Sequence, residues 1–200
     1  MKLGKFIVLE GLDGSGKTTQ INRLGAQLAS AGVLLTREPT NGPIGKLCRS
    51  ALLGNTPLSQ DALALLFAAD RAQHLLTEIR PALDAGTHVI CDRYIYSNMA
   101  FQGDAVPLEK IFAYNENALI PPDLTIFIDT SPEECSRRIS NSRTQTEIYD
   151  GTALSKKIRL RYLRAFNDYG KIMPVTQVDG NLSAENLVEI INSLIIEKIK

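Results

Sequence analysis

Short runs of consecutive apolar residues alternate along the chain with longer segments in which apolar positions recur every three or four residues. Continuous apolar runs rich in branched side chains are typical of strands that are buried on both faces of a parallel sheet. Among these runs VLLT has the weakest pattern. The predicted strands are FIVLE (6–10), VLLT (33–36), HVICD (88–92), LTIFID (124–129) and VTQVD (175–179).

The segments between these runs carry helical periodicity and recognisable helix ends. The first helix begins at Thr18 and stops at Gly32, because glycine readily adopts the left-handed conformation that closes a helix. The most apolar helix follows the capping residue Ser59, and Pro81 is expected to kink or end it. Further helices are predicted at 107–119, 131–140 and 183–199.

This alternation indicates an α/β fold of three layers, with a five-stranded parallel sheet and helices on both faces. The chain shows no linker, repeat or low-complexity segment, so residues 1–200 are predicted to form a single domain. The polar stretch SNSRTQTEIYDGT, at about 140–152, is predicted to be a mobile loop.

Composition narrows the classes of function. Lys plus Arg and Asp plus Glu number 22 each, so no global basic field favours non-specific binding to nucleic acid or to a membrane surface. No apolar run approaches the ~20 residues that a membrane span needs. The three cysteines are widely spaced and no secretory segment follows Met1, which predicts reduced thiols in the cytoplasm. The two histidines leave little for a zinc site.

The residues directly after the first predicted strand form a phosphate-binding motif. GLDGSGKT (11–18) fits G-x-x-x-x-G-K-[ST] and lies between a strand and a helix, which is the context that the motif requires. Glycines let the backbone wrap closely around an anion, so that successive N–H groups point at phosphate oxygens. Lys17 is expected to reach the terminal phosphates, and Thr18 to offer its hydroxyl to Mg²⁺. GTPases, motor ATPases and kinases all use this motif, so it leaves the reaction open.

A second polar site follows the strand HVICD. Its last residue, Asp92, is expected beside the phosphate loop, because the carboxyl ends of parallel strands meet at one edge of the sheet. A carboxylate there can hold Mg²⁺ through water or orient a nucleophile, and Arg93 can grip a second phosphate group with two hydrogen bonds. The alternative is that Asp92 caps the next helix and Arg93 is a surface charge.

Five blocks of sequence together resemble one enzyme family. They are FIVLEGLDGSGKTTQ (6–20), TREP (36–39), LLFAADRAQ (65–73), DRYIYSNMAFQG (92–103) and FIDTSPEECSRR (127–138). In this order, and over essentially the whole chain, they resemble the thymidylate kinases (dTMP kinases) of the P-loop nucleoside monophosphate kinase group. Phe101 stands where a typical member has tyrosine, a departure that leaves the packing role intact.

The resemblance implies an ATP:dTMP phosphotransferase that converts dTMP to dTDP with ATP and Mg²⁺, in dTTP biosynthesis for DNA synthesis. It implies a cytoplasmic homodimer whose partners are the small-molecule substrates ATP and dTMP, without nucleic acid or membrane. Lys17, Asp92 and Arg93 would be catalytic, and Thr18 with Asp92 would hold Mg²⁺, partly through water. The implied ATP contacts are Gly11, Leu12, Asp13, Gly14, Ser15, Gly16, Lys17, Thr18, Thr19 and Arg138.

The resemblance also implies how dTMP is held. Phe67 would stack on thymine, and Arg71, on the same helix face, would donate to an exocyclic oxygen of the base. Asp13 would lie near the 3′-hydroxyl, and Tyr149 near C2′, where its ring leaves no room for a ribose hydroxyl. Arg37 either lies near the monophosphate or is structural. The implied dTMP contacts are Asp13, Glu38, Arg49, Phe67, Arg71, Arg93, Asn98, Gln102 and Tyr149.

The source of one catalytic arginine divides this family. Some members carry it in the phosphate loop directly after the aspartate, where this chain has Gly14. Members without it supply an arginine from a mobile lid. The lid is predicted at about 140–152, and its only basic residue is Arg143, which is therefore the predicted catalytic arginine. Arg137 is the alternative donor.

Two other functions remain open at this point. One is a P-loop kinase of a different acceptor, such as another nucleoside monophosphate or a deoxynucleoside; the block after Asp92 and Arg93 argues against it. The other is a non-catalytic nucleotide-binding subunit, against which the intact Lys17 and Thr18 argue. The basic segment KKIRLRYLR (156–164) spreads its charges around a helix, which indicates a solvated face, or one partly facing the nucleotide site, rather than an RNA-binding site.

Overall fold

The computed structural model describes residues 3–28, 32–116, 119–142 and 145–199, and in them five parallel strands form one sheet. The strands are β1 (Phe6–Glu10), β2 (Val33–Arg37), β3 (His88–Asp92), β4 (Leu124–Asp129) and β5 (Val175–Asp179). Their order across the sheet is β2-β3-β1-β4-β5, so β1 lies at the centre. All five predicted strands are confirmed, and the second is longer than predicted by one residue, Arg37.

The central strand explains why continuous apolar runs predicted a sheet covered on both faces. Every residue of β1 is buried. Successive side chains of a strand point to opposite faces. Accordingly Phe6 and Val8 belong to one hydrophobic cluster, and Ile7 and Leu9 belong to the other. A strand with two covered faces has no polar face, and therefore its sequence does not alternate.

Helices cover both faces of the sheet. They are α1 (Lys17–Leu28), α2 (Pro43–Leu52), α3 (Gln60–His74), α4 (Arg80–Asp84), α5 (Ile95–Gln102), α6 (Leu108–Glu116), α7 (Pro132–Ser142), α8 (Thr152–Tyr169) and α9 (Ala184–Ile199). Leu24 of α1 and Ile191 of α9 join the cluster that contains Ile7, whereas Leu63 of α3 and Tyr162 of α8 join the opposite cluster. The predicted three-layer α/β fold is therefore confirmed. In the described part of the chain, no helix is both long and apolar enough to span a membrane.

The helix that follows Ser59 does not end at Pro81. Ser59 caps α3 as predicted, because its hydroxyl accepts a hydrogen bond from the amide of Ala62. The α-helix then gives way to a π-helical turn at Leu75–Ile79, and helical conformation continues through Pro81 to Asp84. Proline lacks the N–H that an α-helix would use at this position, and the change of helix type before it accommodates the missing hydrogen bond.

The carboxyl ends of the first three strands lie side by side and carry polar residues. In the register of the sheet, Asp92 of β3 is paired with Leu9 of β1 on one side and with Arg37 of β2 on the other. The loop after β1 therefore adjoins the residues that follow β2 and β3. This edge of the sheet positions the candidate site.

Candidate active site

The phosphate-binding motif forms a tight loop between β1 and α1. Gly11, Gly14 and Gly16 have φ angles of +155°, +77° and +101°, in a region that residues with side chains rarely adopt. Space is restricted as well, because a Cβ atom at Gly14 would lie 2.5 Å from the carbonyl oxygen of Cys135. Gly14 is thus required both by its backbone conformation and by its close approach to α7.

Lys17 begins α1, and its ammonium group lies over this loop. Nζ donates hydrogen bonds to the carbonyl oxygens of Gly11 at 3.0 Å and Leu12 at 2.8 Å. Burial and the positive charge of Arg93 together lower the pKa of Lys17 to about 8. The low dielectric around a buried ammonium strengthens its attraction for a phosphate placed beside the loop.

Thr18 and Asp92 come together as the candidate metal ligands. The Thr18 hydroxyl donates to Asp92 Oδ2 at 3.5 Å. The other carboxylate oxygen, Oδ1, is buried and has no hydrogen-bond partner among the residues that the structure describes. A hydroxyl beside a carboxylate oxygen without a donor provides the hard oxygen ligands that Mg²⁺ prefers. These two residues therefore fit the ion that the sequence predicts.

Arg93 turns the chain from β3 towards α5 and links the loop to the space beside it. Its φ of +72° lies in the left-handed region, which is uncommon for residues other than glycine. The guanidinium donates to Asp13 Oδ1 at 2.6 Å, to the carbonyl oxygen of Gly11 at 3.1 Å and to Ser97 Oγ at 2.9 Å. A strained residue held by this many contacts is typical of a functional position.

Glu10, the last residue of β1, is a buried carboxylate that was not among the predicted site residues. Oε1 accepts hydrogen bonds from the backbone amides of Tyr94 at 2.9 Å and Ser97 at 3.0 Å. Burial raises the pKa of Glu10, although these hydrogen bonds and the charge of Arg93 oppose the shift. The carboxylate caps the first turn of α5 and so holds the corner that carries Arg93. A charged residue at the end of an otherwise apolar strand was its only signal in the sequence.

A cavity of about 210 Å³ opens beside Arg93. Its walls come from the phosphate loop, the ends of β2 and β3, helices α2, α3 and α5, and the segment before α8. Arg37 also borders it. All the predicted dTMP contacts line this one cavity, namely Asp13, Glu38, Arg49, Phe67, Arg71, Arg93, Asn98, Gln102 and Tyr149. Their individual roles stay predictions.

Arg71 is a buried charge on the wall of this cavity, only 2% exposed. NH2 forms an ion pair with Glu38 Oε2 at 2.6 Å, and NH1 donates to Asn115 Oδ1 at 2.5 Å. The guanidinium also lies 4.8 Å from the ring centroid of Tyr94. Its Nε is buried and has no hydrogen-bond partner in the described residues, so one donor is left for a ligand.

Two further arginines border the cavity, Arg37 at the end of β2 and Arg49 on α2. Arg49 donates to the carbonyl oxygens of Pro39 at 2.8 Å and Thr40 at 2.6 Å, which fixes its guanidinium. Arg37 is exposed, and its hydrogen bond to the side chain of Asn41 is long, at 3.3 Å. The difference in anchoring favours Arg49 as the better positioned of the two, and both interpretations of Arg37 stay open.

Comparison with known proteins decides the family. The family model described as thymidylate kinase matches residues 9–191. A relative from Pyrococcus horikoshii, described as a probable thymidylate kinase, is 42% identical over 98% of this chain and 96% of its own length. Another of the same description, from Thermococcus gammatolerans, is 37% identical over 94% of this chain and 91% of its own. The chain belongs to the thymidylate kinase family.

Members of the thymidylate kinase family are nucleoside monophosphate kinases that phosphorylate dTMP in dTTP synthesis, with ATP as the phosphoryl donor. The predicted family, fold class and enzyme class are thereby confirmed. A kinase of another acceptor and a non-catalytic subunit, the two alternatives that the sequence left open, are not favoured by any of these findings.

Two of the arginines that the sequence predicts to serve ATP or the transition state, Arg138 and Arg137, differ in their surroundings. Arg138 donates to the carbonyl oxygens of Ser15 at 3.4 Å and Gly180 at 3.2 Å, which places it against the phosphate loop. Arg137 is exposed and forms two hydrogen bonds to Glu134, each 2.7 Å long. The predicted catalytic arginine, Arg143, lies outside the described residues. Helix α7 extends through Ser142, so the first residues of the predicted lid are helical.

Glu38, His74 and Cys91 are buried, and each offers one atom that could bind a metal ion. These three atoms lie within 4.8 Å of one another. The Glu38 carboxylate already has two partners, because it accepts a hydrogen bond from Arg71 and lies 3.2 Å from His74 Nδ1. Both oxygens of this carboxylate therefore already have a partner, Oε2 in Arg71 and Oε1 in His74, which leaves neither free to hold a metal ion. Glu38 and His74 therefore belong to the hydrogen-bond network that supports Arg71, whereas Cys91 Sγ donates to the carbonyl oxygen of Arg93 at 3.2 Å.

The basic segment 156–164 lies on α8 and is largely matched by acidic side chains. Lys156 pairs with Glu133 at 2.7 Å, and Arg159 pairs with Asp129 at 2.6 Å. Arg161 pairs with Asp104, in the turn that follows α5. These pairs distribute the positive charge among neighbouring elements rather than presenting it as one patch.

Proposed function

We propose that this member of the thymidylate kinase family transfers the γ-phosphoryl group of ATP to dTMP at the junction between the phosphate loop and the cavity. One observation carries the proposal: the Arg93 guanidinium contacts both the Gly11 carbonyl in the loop and the Asp13 carboxylate, and it lines the cavity. A single cation thus adjoins the places where the donor and acceptor phosphates would lie.

The reaction needs no protein nucleophile. An oxygen of the dTMP phosphate forms a bond to the γ-phosphorus of ATP while the bond to the ADP oxygen breaks, which yields dTDP and ADP. Two polyanions repel each other, so the protein contributes mainly by holding them in line and neutralising their charge. Lys17 and the loop amides serve the donor phosphates, and Arg93 grips the acceptor phosphate.

Mg²⁺ fits the pair formed by the Thr18 hydroxyl and the Asp92 carboxylate, partly through water. When bound, the ion supplies positive charge beside the donor phosphates. The roles of this chain are to orient the hydroxyl of Thr18 and to hold the Asp92 carboxylate beside it.

The cavity is proposed to hold dTMP by contacts that the geometry supports. Phe67 stacks on the base, and Arg71 offers its unpaired Nε to an exocyclic oxygen. Asn98 and Gln102 meet the edge of the base. Arg49 lies near the monophosphate. Glu38 holds Arg71 in place through their ion pair. Asp13 lies near the 3′-hydroxyl, and Tyr149 excludes a ribose hydroxyl at C2′.

The ATP side is proposed to combine the loop residues 11–19 with Arg138 against the adenine. A mobile lid at about 140–152 would close over the nucleotide and exclude water. Arg143 in that lid would supply the charge that stabilises the transition state, and Arg137 is the alternative donor. Residues 1–200 would function as one domain.

The chain is further proposed to be a cytoplasmic homodimer. Leu65 on α3 is 45% exposed and Leu76 on the following π-helical turn is 67% exposed, which supports contact of this helix with a second copy. Cys48, Cys91 and Cys135 are free and buried, which supports a reducing compartment.

A coupled assay of ADP release tests the proposed function directly. Purified wild-type chain, ATP and Mg²⁺ are incubated with dTMP, dUMP, dCMP, AMP or thymidine. The control is Lys17→Ala, which removes the ammonium group from the phosphate loop. The highest kcat/KM is expected for dTMP. Because one methyl group in an apolar pocket contributes roughly 1–3 kcal/mol, dUMP should be poorer by about 10- to 200-fold. Equal values for dTMP and dUMP would contradict the thymine site, and no acceptor-dependent ADP release would contradict catalysis.

A further inference from the structure

Six side chains form one continuous series of hydrogen bonds, and four of them line the cavity. The donor–acceptor distances along the series are 2.5, 3.3, 2.9, 2.8 and 2.6 Å. Four of the five links join side chains from different helices or segments. In order, the members are Arg71, Asn115, Asn98, Gln102, Tyr149 and Gln60.

The orientation of Asn115, on α6, is fixed by two groups that cannot exchange roles. A guanidinium only donates, so the atom that faces Arg71 at 2.5 Å must be the amide oxygen. A backbone carbonyl only accepts, so the atom that lies 2.7 Å from the oxygen of Ile111 must be the amide nitrogen. Asn115 is 1% exposed, so bulk solvent does not compete with either partner.

Asn98 and Gln102 have no such independent constraint. Within the described residues, the Asn98 amide bonds only to Asn115 and Gln102, and the Gln102 amide only to Asn98 and Tyr149. A tyrosine hydroxyl both donates and accepts, so Tyr149 is compatible with either direction of the series. The orientation of Asn115 therefore determines which atom of the Asn98 and Gln102 amides is the oxygen and which is the nitrogen.

We propose that Asn115 is a positioning residue that sets the polarity of Asn98 and Gln102 and thereby makes the enzyme select thymine over cytosine. This inference rests on the proposed function, in which these two amides meet the edge of the base. Thymine presents a carbonyl oxygen at position 4 and an N–H at position 3. Cytosine presents an amino group and a bare nitrogen at the same places, so its pattern of donors and acceptors is reversed.

Asn115→Asp tests this with almost no change of shape. The carboxylate keeps an acceptor for Arg71, but its second oxygen can no longer donate to Asn98. The Asn98 amide then turns to donate to the carboxylate, and Gln102 turns with it. The ratio of kcat/KM for dTMP to that for dCMP is expected to fall by at least about 10-fold, the scale of one misdirected hydrogen bond. KM for dTMP should rise while kcat at saturation and KM for ATP change little, because the base lies apart from the reacting phosphates.

Two further variants make the outcome decisive. The new carboxylate oxygen of Asn115→Asp would face the carbonyl of Ile111, which destabilises that variant. Asn115→Ala removes the orienting group without this contact and frees both amides to point either way, so its ratio should fall too. Gln20→Glu is the matched control, since Gln20 is an equally buried amide on α1, hydrogen-bonded to Ala184 and outside the cavity. Its ratio should equal that of wild type.

The outcomes separate the two proposals. Wild-type enzyme that uses dCMP as well as dTMP would overturn the proposed thymine site and this inference with it. If the wild-type enzyme prefers dTMP, and folded Asn115→Asp and Asn115→Ala keep the same ratio of kcat/KM for dTMP to that for dCMP, only the role of Asn115 would be overturned. An equal fall of the ratio in Gln20→Glu would also overturn it, because the effect would then reflect general loosening. A fall confined to the Asn115 variants supports it.

Discussion

The phosphate loop and the cavity proposed to hold dTMP lie side by side but are built in different ways. Loop residues 11–18 are contiguous, and the shape of the loop depends on backbone conformations that only glycine readily adopts. The cavity takes its walls from side chains as far apart in sequence as Asp13 and Tyr149. Hydrogen bonds between helices hold these side chains in place.

This difference has consequences for function. A site made of backbone accepts no added atoms, so a single methyl group should impair the binding of ATP. A site made of side chains keeps its scaffold when one contact is changed, so substitutions there should alter the choice of substrate more than the rate of transfer. Arg93 belongs to both regions, since it contacts the Gly11 carbonyl and lines the cavity.

The largest effect is expected from the lid, which would add a side-chain contribution to the phosphate loop. Arg143→Ala should lower kcat by at least about 100-fold, since arginines that stabilise phosphoryl transfer contribute roughly 10³–10⁵ in rate. KM for dTMP should change little, because the contact forms mainly in the transition state. Steady-state kinetics with both substrates varied measures this.

Arg137→Ala is the matched control for the lid. It removes an exposed arginine that is paired with Glu134. Near wild-type kcat in Arg143→Ala together with an inactive Arg137→Ala would transfer the role to Arg137. Wild-type kcat in both variants would eliminate a lid arginine and leave Lys17 and Arg93 as the protein's catalytic cations.

The next effect concerns the backbone of the loop itself. Gly14→Ala should raise KM for ATP by roughly 10- to 100-fold, because the added methyl group overpacks the site against the Cys135 carbonyl. Binding of dTMP alone, measured by calorimetry, should change much less. Gly54→Ala is the control, since Gly54 has a similar φ of +76° but open space around its Cβ position. An unchanged KM for ATP in Gly14→Ala would contradict the claim that ATP binding depends on the backbone conformation and close packing at Gly14.

The same contrast explains which parts of the molecule could be predicted from the sequence. The central strands β1, β3 and β4 were predictable because burial on both faces leaves continuous apolar runs, although the edge strands β2 and β5, which also have such runs, are only partly buried. The loop was predictable because its chemistry is local. Asn115 was not, because in FAYNENAL it resembles any polar residue of a helix. Its importance depends on Arg71, which lies 44 residues away in sequence. The continuation of the helix past Pro81 depends likewise on a π-helical turn that no sequence pattern marked.

A smaller effect is expected at Tyr149, where the sugar of dTMP is proposed to lie. Tyr149→Ala should raise activity on the ribonucleotide analogue of dTMP, relative to dTMP, by roughly 10-fold, because removal of the ring makes room for a hydroxyl at C2′. Tyr149→Phe keeps the ring, which packs edge-on against Phe101 at 5.2 Å, and loses only the hydrogen bonds of the hydroxyl. Its ratio should stay at the wild-type value. A fixed ratio in both variants would mean that Tyr149 does not sense C2′.

The smallest effect is a pH dependence of the network behind the cavity. His74 Nδ1 lies 3.2 Å from Glu38 and Nε2 lies 3.0 Å from Glu78, with Cys91 and Arg71 close to the same carboxylate, Glu38. Burial alone would lower the pKa of His74, but the hydrogen bonds and charges of the two glutamates outweigh it, so the pKa is raised above 6.5. Protonated His74 therefore stabilises the folded chain fully below about pH 6.5, and this contribution is lost as the pH rises through the raised value. Urea denaturation from pH 6 to pH 9 should show wild type losing about 1 kcal/mol that His74→Gln does not lose. If the free energies of unfolding of the two proteins change in parallel with pH, the imidazole of His74, which lies between Glu38 and Glu78, is not protonated in the folded chain.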